Sequence, residues 1–191
     1  MKVSILKILF FWLFLVLVPA AFSVETQNCK IEEQEKVKLL EMNYQIFDQT
    51  MGEGWRIYAD RRCFVQTALL LDEYREINQS KLENWQTRII SWHAGQMYAF
   101  DNDYFRAKNR FLDSLNPSED PASKILWNDY VNASIAFLDK DVEKLKFFRE
   151  KIANGPSLDG KKMNLNIVDN FINCFNWPYS IAYSGCKIIF T

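Results

Sequence analysis

Apolar side chains recur every three or four positions along most of this chain, which is the repeat of an amphipathic helix. Seven such runs are separated by short stretches rich in Gly, Pro, Asn and Asp. They predict helices at 31–50, 57–77, 82–100, 104–115, 122–138, 142–153 and 165–175. No run alternates apolar and polar residues over the length of a strand, since the final apolar triplet at 188–190 is too short to count. The pattern therefore predicts an all-α protein.

The first 23 residues have the features of a secretory signal peptide. Lys2 and Lys7 give a positive start, positions 8–18 are apolar without interruption, and the small residues Ala21 and Ser23 precede the expected cleavage site. We expect cleavage after Ser23 and export to the periplasm, the cell envelope or the extracellular space. After cleavage we expect no membrane insertion. The alternative is that the apolar segment is retained as an anchor, which would make this a membrane-tethered structural protein.

The composition of the mature chain, residues 24–191, narrows the classes of function. The whole chain has 23 Lys and Arg against 24 Asp and Glu, and this balance excludes a strongly basic nucleic-acid-binding protein. We therefore expect no nucleic-acid partner. The aromatic content of 15% and the small number of Gly and Pro residues argue against a disordered chain and indicate one packed domain.

Four cysteines in an exported chain favour disulfides, and four cysteines allow three pairings. Cys174 and Cys186 flank a short turn-like stretch, so we predict that they pair. A bridge between Cys29 and Cys63 is doubtful, because these residues begin two successive predicted helices whose first residues would lie far apart in an antiparallel hairpin. The cysteines do not cluster and His93 is the one histidine, so we expect no metal site.

One helical pair carries a recognisable pattern. Gly95 and Tyr98 precede an Asn-Asp-Tyr turn at 102–104, and Ala107 and Phe111 follow it. Gly in a helix interior costs about 1 kcal/mol relative to Ala, and close approach of a second helix is a physical reason to keep it. In register and residue type, this segment resembles a hairpin of the tetratricopeptide repeat (TPR) family.

The resemblance extends loosely to the rest of the chain. A shift of 38 residues places Ala133 on Gly95, and a backward shift of 39 places Ala68 on Ala107. The resemblance implies a short right-handed α-solenoid of three helical pairs, at 31–77, 82–115 and 122–153, closed by a cap at 165–186.

In the TPR family, ligands bind the concave face formed by the first helix of each pair. Carried onto this chain, that face consists of Ile89, Trp92, Gln96, Trp127, Tyr130 and Ser134. The resemblance thus implies a site for a protein or peptide partner. The alternative is that the aromatic residues of this set form inter-helix core, as aromatic stripes at helical spacing usually do.

Our leading hypothesis is an exported, non-enzymatic scaffold or adaptor that binds a protein or peptide and needs no cofactor. The second hypothesis is a small exported enzyme, hydrolase-like, centred on His93, because any scheme that uses a histidine must use this one. We nevertheless expect His93 to be a structural or surface residue and not a catalytic one. No nucleophile elbow and no Gly-rich phosphate loop occurs in the sequence.

Overall fold

The computed structural model describes residues 28–187, and within this range the chain is helical with no strand. The helices are α1 (Glu33–Glu41), α2 (Arg56–Asp60), α3 (Phe64–Ile77), α4 (Asn84–Phe100), α5 (Tyr104–Asp113), α6 (Trp127–Leu138), α7 (Val142–Asn154), α8 (Leu165–Asn173) and α9 (Tyr179–Tyr183), with a π-helical turn at Gln45–Gln49. The all-α prediction is confirmed. The predicted signal peptide and the triplet at 188–190 lie outside the described residues.

Helix α4 is the centre of the molecule. It packs along α3 on one side and α5 on the other, and α9 covers part of its C-terminal half. Most of its residues from Ile90 to Ala99 are buried. The helix begins with a capping box, in which the Glu83 backbone N–H donates to the Gln86 side chain at 2.9 Å.

Helices α4 and α5 form a close antiparallel hairpin around Gly95. A Cβ atom at this position would lie 2.6 Å from Phe111 Cδ1 and 3.1 Å from the Ala107 carbonyl oxygen, so a side chain is excluded. Asp103 caps α5 by accepting a hydrogen bond from the Arg106 backbone N–H at 3.0 Å. Asn102 takes the left-handed conformation, with φ of 65°, that the tight turn requires.

Helices α6 and α7 form a second hairpin, and α8 packs against both. The Asp141 side chain caps α7 through the Lys144 backbone N–H at 3.0 Å. Arg149 of α7 donates to Asp169 of α8 at 2.8 Å. The chain thus consists largely of helical hairpins packed side by side, as the sequence predicts.

The first predicted pair is wrong in detail. The helix expected at 31–50 stops at Glu41, because Met42 is extended and Asn43 starts the π-helical turn by accepting a hydrogen bond from the Ile46 N–H. The helix expected at 57–77 is broken between α2 and α3, where Arg62 has a φ of 59°. Further along, the helix expected at 122–138 begins only at Trp127.

The segment between α1 and α3 runs back along them, so that these two helices lie parallel. The segments that precede the two helices are joined by a Cys29–Cys63 disulfide with a Cα–Cα distance of 5.3 Å. Their last turns meet where Asn78 Nδ2 donates to the Leu40 carbonyl at 3.0 Å. The doubt about the Cys29–Cys63 bridge was therefore wrong, because it assumed an antiparallel hairpin.

The second bridge joins Cys174 to Cys186 with a Cα–Cα distance of 5.7 Å, which confirms the predicted pairing. Two disulfides indicate an oxidising environment, such as that met by exported proteins. No helix within residues 28–187 is both long enough and apolar enough to cross a membrane.

Candidate functional site

The structure places most of the predicted concave-face residues in the interior. This set is Ile89, Trp92, Gln96, Trp127, Tyr130 and Ser134. Trp92, Tyr130 and Ser134 are each 4% exposed or less, Gln96 is 8% exposed, and Ile89 and Trp127 are half-buried. The Trp92 ring lies 5.1 Å from Trp127 and 4.8 Å from Tyr130, between centroids. These aromatic rings fill the contact between α4 and α6, so they belong to the inter-helix core and not to an open face.

The residues assigned a structural role are all buried: Gly95, Tyr98, Ala107 and Phe111. Tyr98 also has a polar contact, because its hydroxyl donates to Asp72 of α3 at 2.9 Å. Arg110 of α5 donates to the same carboxylate at 2.6 Å. Asp72 therefore links α3, α4 and α5 through one carboxylate.

His93 of α4 forms a close pair with an aspartate distant in the sequence. Its Nδ1 atom lies 2.7 Å from Asp48 Oδ1, across 45 residues of chain. The His93 side chain is 17% exposed, whereas that of Asp48 is fully buried. The imidazole therefore stands between a buried carboxylate and the surface.

Asp48 receives three hydrogen bonds. Besides His93, Trp55 Nε1 donates to Oδ1 at 2.9 Å and Gln49 Nε2 donates to Oδ2 at 2.6 Å. Burial acts to raise the pKa of Asp48, but the hydrogen bonds from His93 and Trp55 and the charges of His93 and Arg56 together hold this pKa below its usual value. The carboxylate is thus ionised at neutral pH and can only accept hydrogen bonds.

The ionised state of Asp48 determines the tautomer of His93. Because Asp48 has no proton to give, His93 Nδ1 must carry the shared hydrogen. In the neutral ring the lone pair is then on Nε2. This is the arrangement that prepares a histidine to take up a proton.

The local sequence explains how Asp48 reaches this position. Asp48 belongs to the π-helical turn, a rare conformation that occurs frequently at functional sites. The chain then reverses at Gly54, where φ is 56° and a Cβ atom would collide with the Phe47 backbone carbonyl. Trp55 follows at once, and its indole thereby meets the carboxylate.

Beside this pair lies a cleft of about 380 Å³, which we name the His93 cleft. Its lining residues are Met51, Trp55, Arg56, Ala59, Asp60, Phe64, His93, Gln96, Met97, Phe100 and Tyr183. Apolar walls with a few converging polar groups are typical of small-molecule sites, and the volume falls within their usual range.

Arg56 is the cationic side chain of the cleft. Its guanidinium carbon lies 4.2 Å from the centroid of the Trp55 ring, and the Trp55 ring is 5.0 Å from that of His93. The Arg56 Nη1 atom is buried and has no hydrogen-bond partner. In the part of the chain that the structure describes, one other buried side-chain polar atom shares this property, the Tyr179 hydroxyl.

Each disulfide includes a cysteine that is close in the sequence to a residue of the His93 cleft. Cys63 directly precedes Phe64, a wall residue at the start of α3. Tyr183 ends α9, within the loop closed by Cys174 and Cys186, and its ring lies 5.4 Å from that of Phe100. Helices from both ends of the chain therefore form this site.

Another groove has polar side chains that are already hydrogen-bonded within the protein. A groove of about 540 Å³ lies near Tyr44, Tyr74 and Asn78, but the Tyr74 hydroxyl already donates to the Met42 carbonyl and Asn78 is paired with backbone. Among residues 28–187, no three His, Cys, Asp or Glu side chains come together in a way that could hold a metal ion.

Sequence reasoning singled out His93 but missed Asp48, Trp55 and Arg56. No spacing signal connects Asp48 with His93, because tertiary packing brings them together across 45 residues. The Gly52-Glu53-Gly54-Trp55 stretch was the available local signal, since two glycines before a tryptophan mark a sharp turn that presents a large ring.

No family model, curated protein or solved structure matches the chain. The chemistry of the site is therefore the guide to function, because a fold by itself does not determine what a protein does.

Proposed function

We propose that this chain is a small exported hydrolase in which His93 acts as the general base on a substrate held in the His93 cleft. The observation that carries the proposal is the 2.7 Å contact between His93 Nδ1 and the buried Asp48 carboxylate, at the wall of that cleft. Geometry of this kind fixes the ring orientation and the tautomer, and Asp48 stabilises the imidazolium that forms when His93 takes a proton.

Water is the nucleophile in this proposal. Among the described residues that line the cleft, none is Ser, Thr or Cys. His93 Nε2 removes a proton from a water molecule as the water oxygen bonds to the substrate carbonyl carbon. The imidazolium then gives this proton to the leaving group as the bond between that carbon and the leaving group breaks. Gln96, which also lines the cleft, offers an amide N–H to the oxygen that develops negative charge.

The test is hydrolysis of a panel of p-nitrophenyl esters, amino acid anilides and short peptides, with and without a free carboxylate, by residues 24–191 with both disulfides formed. We expect His93→Gln to lower kcat by about 100-fold or more, because general-base catalysis contributes about 10² to 10⁴. Asp48→Asn is expected to lower kcat with little change in KM, because the tautomer and not the substrate contact is lost.

The matched control is Arg88→Gln on the same helix, a half-buried residue outside the cleft lining. Circular dichroism and thermal unfolding verify the fold of each variant. The proposal is contradicted if no member of the panel is hydrolysed, or if His93→Gln retains the wild-type rate.

A second candidate is the scaffold that binds a protein partner, and an exposed apolar face on α5 supports it. Phe105 is 75% exposed and Leu112 is 53% exposed. Seven residues apart, they lie on one side of the helix. The resemblance of the α4–α5 segment to a TPR hairpin also supports a binding role, with the partner on this outer face and not on the buried set around Trp92.

This candidate is tested with the double variant Phe105→Ser/Leu112→Ser, which leaves the core intact. Cross-linking in native extract should give a complex with wild type that the variant loses, with Arg88→Gln again as the control. If wild type and the double variant gave a cross-linked complex of the same size, binding of a partner at the α5 face would be contradicted.

A further inference from the structure

We propose that the ligand of the His93 cleft is a monoanionic carboxylate attached to an apolar group, with the carboxylate bound by Arg56 and the apolar group against Phe64, Met97 and Phe100. This inference rests on the cleft being the functional site and specifies its substrate class. It does not require that His93 catalyses anything.

Arg56 has a buried donor that is free to bind an anion. A buried guanidinium N–H without a partner is costly, and such groups call for an explanation such as an absent ligand. Arg56 Nη1 is in this state within the described residues. The guanidinium carbon lies 4.2 Å from the centroid of the Trp55 ring. This contact pre-orients the planar group, whose donors match a carboxylate.

The charges in and behind the cleft limit the charge of its ligand. Asp60 lines it, and the ionised Asp48 lies behind His93. Because these carboxylates offset the charge of Arg56, the cleft tolerates at most a ligand with a single negative charge. A phosphate dianion would meet more repulsion than a carboxylate.

The walls of the cleft suit an apolar group in size and polarity. Phe64 and Phe100 pack with ring centroids 5.3 Å apart, and Met97 lies in the buried part of α4. A cleft of about 380 Å³ has the volume of about a dozen water molecules, which is enough for one large apolar side chain and its carboxylate. Methionine and aromatic walls adapt well to such groups.

Two sources share this chemistry: a free apolar acid, and the C-terminal residue of a peptide. The primary probe is 3-phenylpropionate, with 3-phenylpropionamide as the uncharged match. Isothermal titration calorimetry on oxidised residues 24–191 measures binding. A tripeptide ending in Phe, with a free or an amidated C-terminus, then distinguishes the peptide source from the free acid.

We expect the acid to bind about ten- to a hundredfold more tightly than the amide, as for a hydrogen bond to a charged group. Arg56→Gln should remove this preference, Arg56→Lys should keep part of it, and Arg88→Gln should keep all of it. Inorganic phosphate should not compete with the acid.

The inference would be overturned if the acid and the amide bound equally well, or if neither bound. It would also be overturned if inorganic phosphate displaced the acid, or if Arg56→Gln bound the acid as tightly as wild type does. If Arg56→Gln fails to fold, the preference for acid over amide in the wild type and its persistence in Arg56→Lys decide the matter. The two proposals can fail separately, because calorimetry measures binding of the acid whether or not any member of the substrate panel is hydrolysed.

Discussion

Asp48 is a buried charge that the fold satisfies with three donors, and it is the residue on which the candidate site depends. Removing one partner of such a group costs more than the interaction itself is worth, because the remaining groups stay buried and unpaired. Asp48 therefore serves both stability and the proposed chemistry, and the two roles can be measured separately.

We expect Asp48→Asn to lower the free energy of unfolding at pH 7 by about 1–3 kcal/mol, because an amide N–H₂ would face donors such as Gln49 and Trp55. The folded-state pKa of Asp48 is lowered, so its stabilisation is complete above the unfolded pKa of about 4 and is lost as the pH falls towards the folded value. Urea unfolding between pH 7 and pH 3 should show the difference between wild type and variant shrinking below about pH 4. A difference that stays constant over this range would contradict the assignment.

Gly95 gives a second test at the scale of one residue. Gly95→Ala raises helix propensity by about 1 kcal/mol, but the new Cβ would lie 2.6 Å from Phe111, a fully buried ring that also packs on Trp92. Overpacking typically costs about 1–3 kcal/mol, so we expect a net loss of stability in chemical unfolding. Asn109→Ala, on the exposed side of α5, should change stability by less than about 0.5 kcal/mol. Stabilisation by Gly95→Ala would show that the two helices can move apart freely.

At the scale of elements, the parallel arrangement of α1 and α3 depends on polar contacts at the ends of the helices. Lys36 of α1 forms an ion pair with Glu73 of α3 at 3.2 Å, but this pair is partly exposed and contributes little. Asn78 is buried, and its Nδ2 atom bonds both the Leu40 and the Tyr74 carbonyls. This side chain therefore joins the last turns of both helices.

Asn78→Ala should lower the free energy of unfolding by about 1–3 kcal/mol, because the Leu40 carbonyl loses its buried donor. The neighbouring Gln79→Ala is the control, since Gln79 is exposed and should have almost no effect. Hydrogen exchange should locate the Asn78→Ala effect at the C-terminal ends of α1 and α3. Equal effects of the two variants would count against this role for Asn78.

At the scale of the whole molecule, the His93 cleft combines α2, the start of α3, α4 and α9. A disulfide lies next to each of two of these helices, because Cys63 directly precedes α3 and Cys186 follows α9. The cross-links therefore stabilise the site as well as the fold.

Loss of the Cys29–Cys63 bridge should cost more stability than loss of the other. The bridges close loops with sequence separations of 34 and 12, for which the chain-entropy relation gives about 4 and about 3 kcal/mol. We expect Cys29→Ser/Cys63→Ser to show the lower Tm of the two paired-serine variants in differential scanning calorimetry. The reverse order would indicate that native-state contacts outweigh the loop entropy.

The sequence supported the helical class, the α4–α5 and α6–α7 hairpins and the Cys174–Cys186 pair, because each depends on contacts between residues close in the chain. The prediction was wrong in the first third of the chain. There the apolar repeat of a helix continues through positions at which the helices are interrupted. Met42 and Arg62 are ordinary helix-compatible residues whose extended and left-handed conformations are imposed by packing and by the bridge at Cys63.

What the sequence by itself determined about this protein is its local organisation: which segments become helices, where most of them stop, and which glycine allows two of them to touch. Tertiary structure alone decided that α1 and α3 run parallel, that Trp92 and Tyr130 are core, and that Asp48 meets His93 beside Arg56. The physical reason is that helix formation depends on residues within one or two turns, whereas burial and ion pairing depend on which distant segments the whole fold brings together.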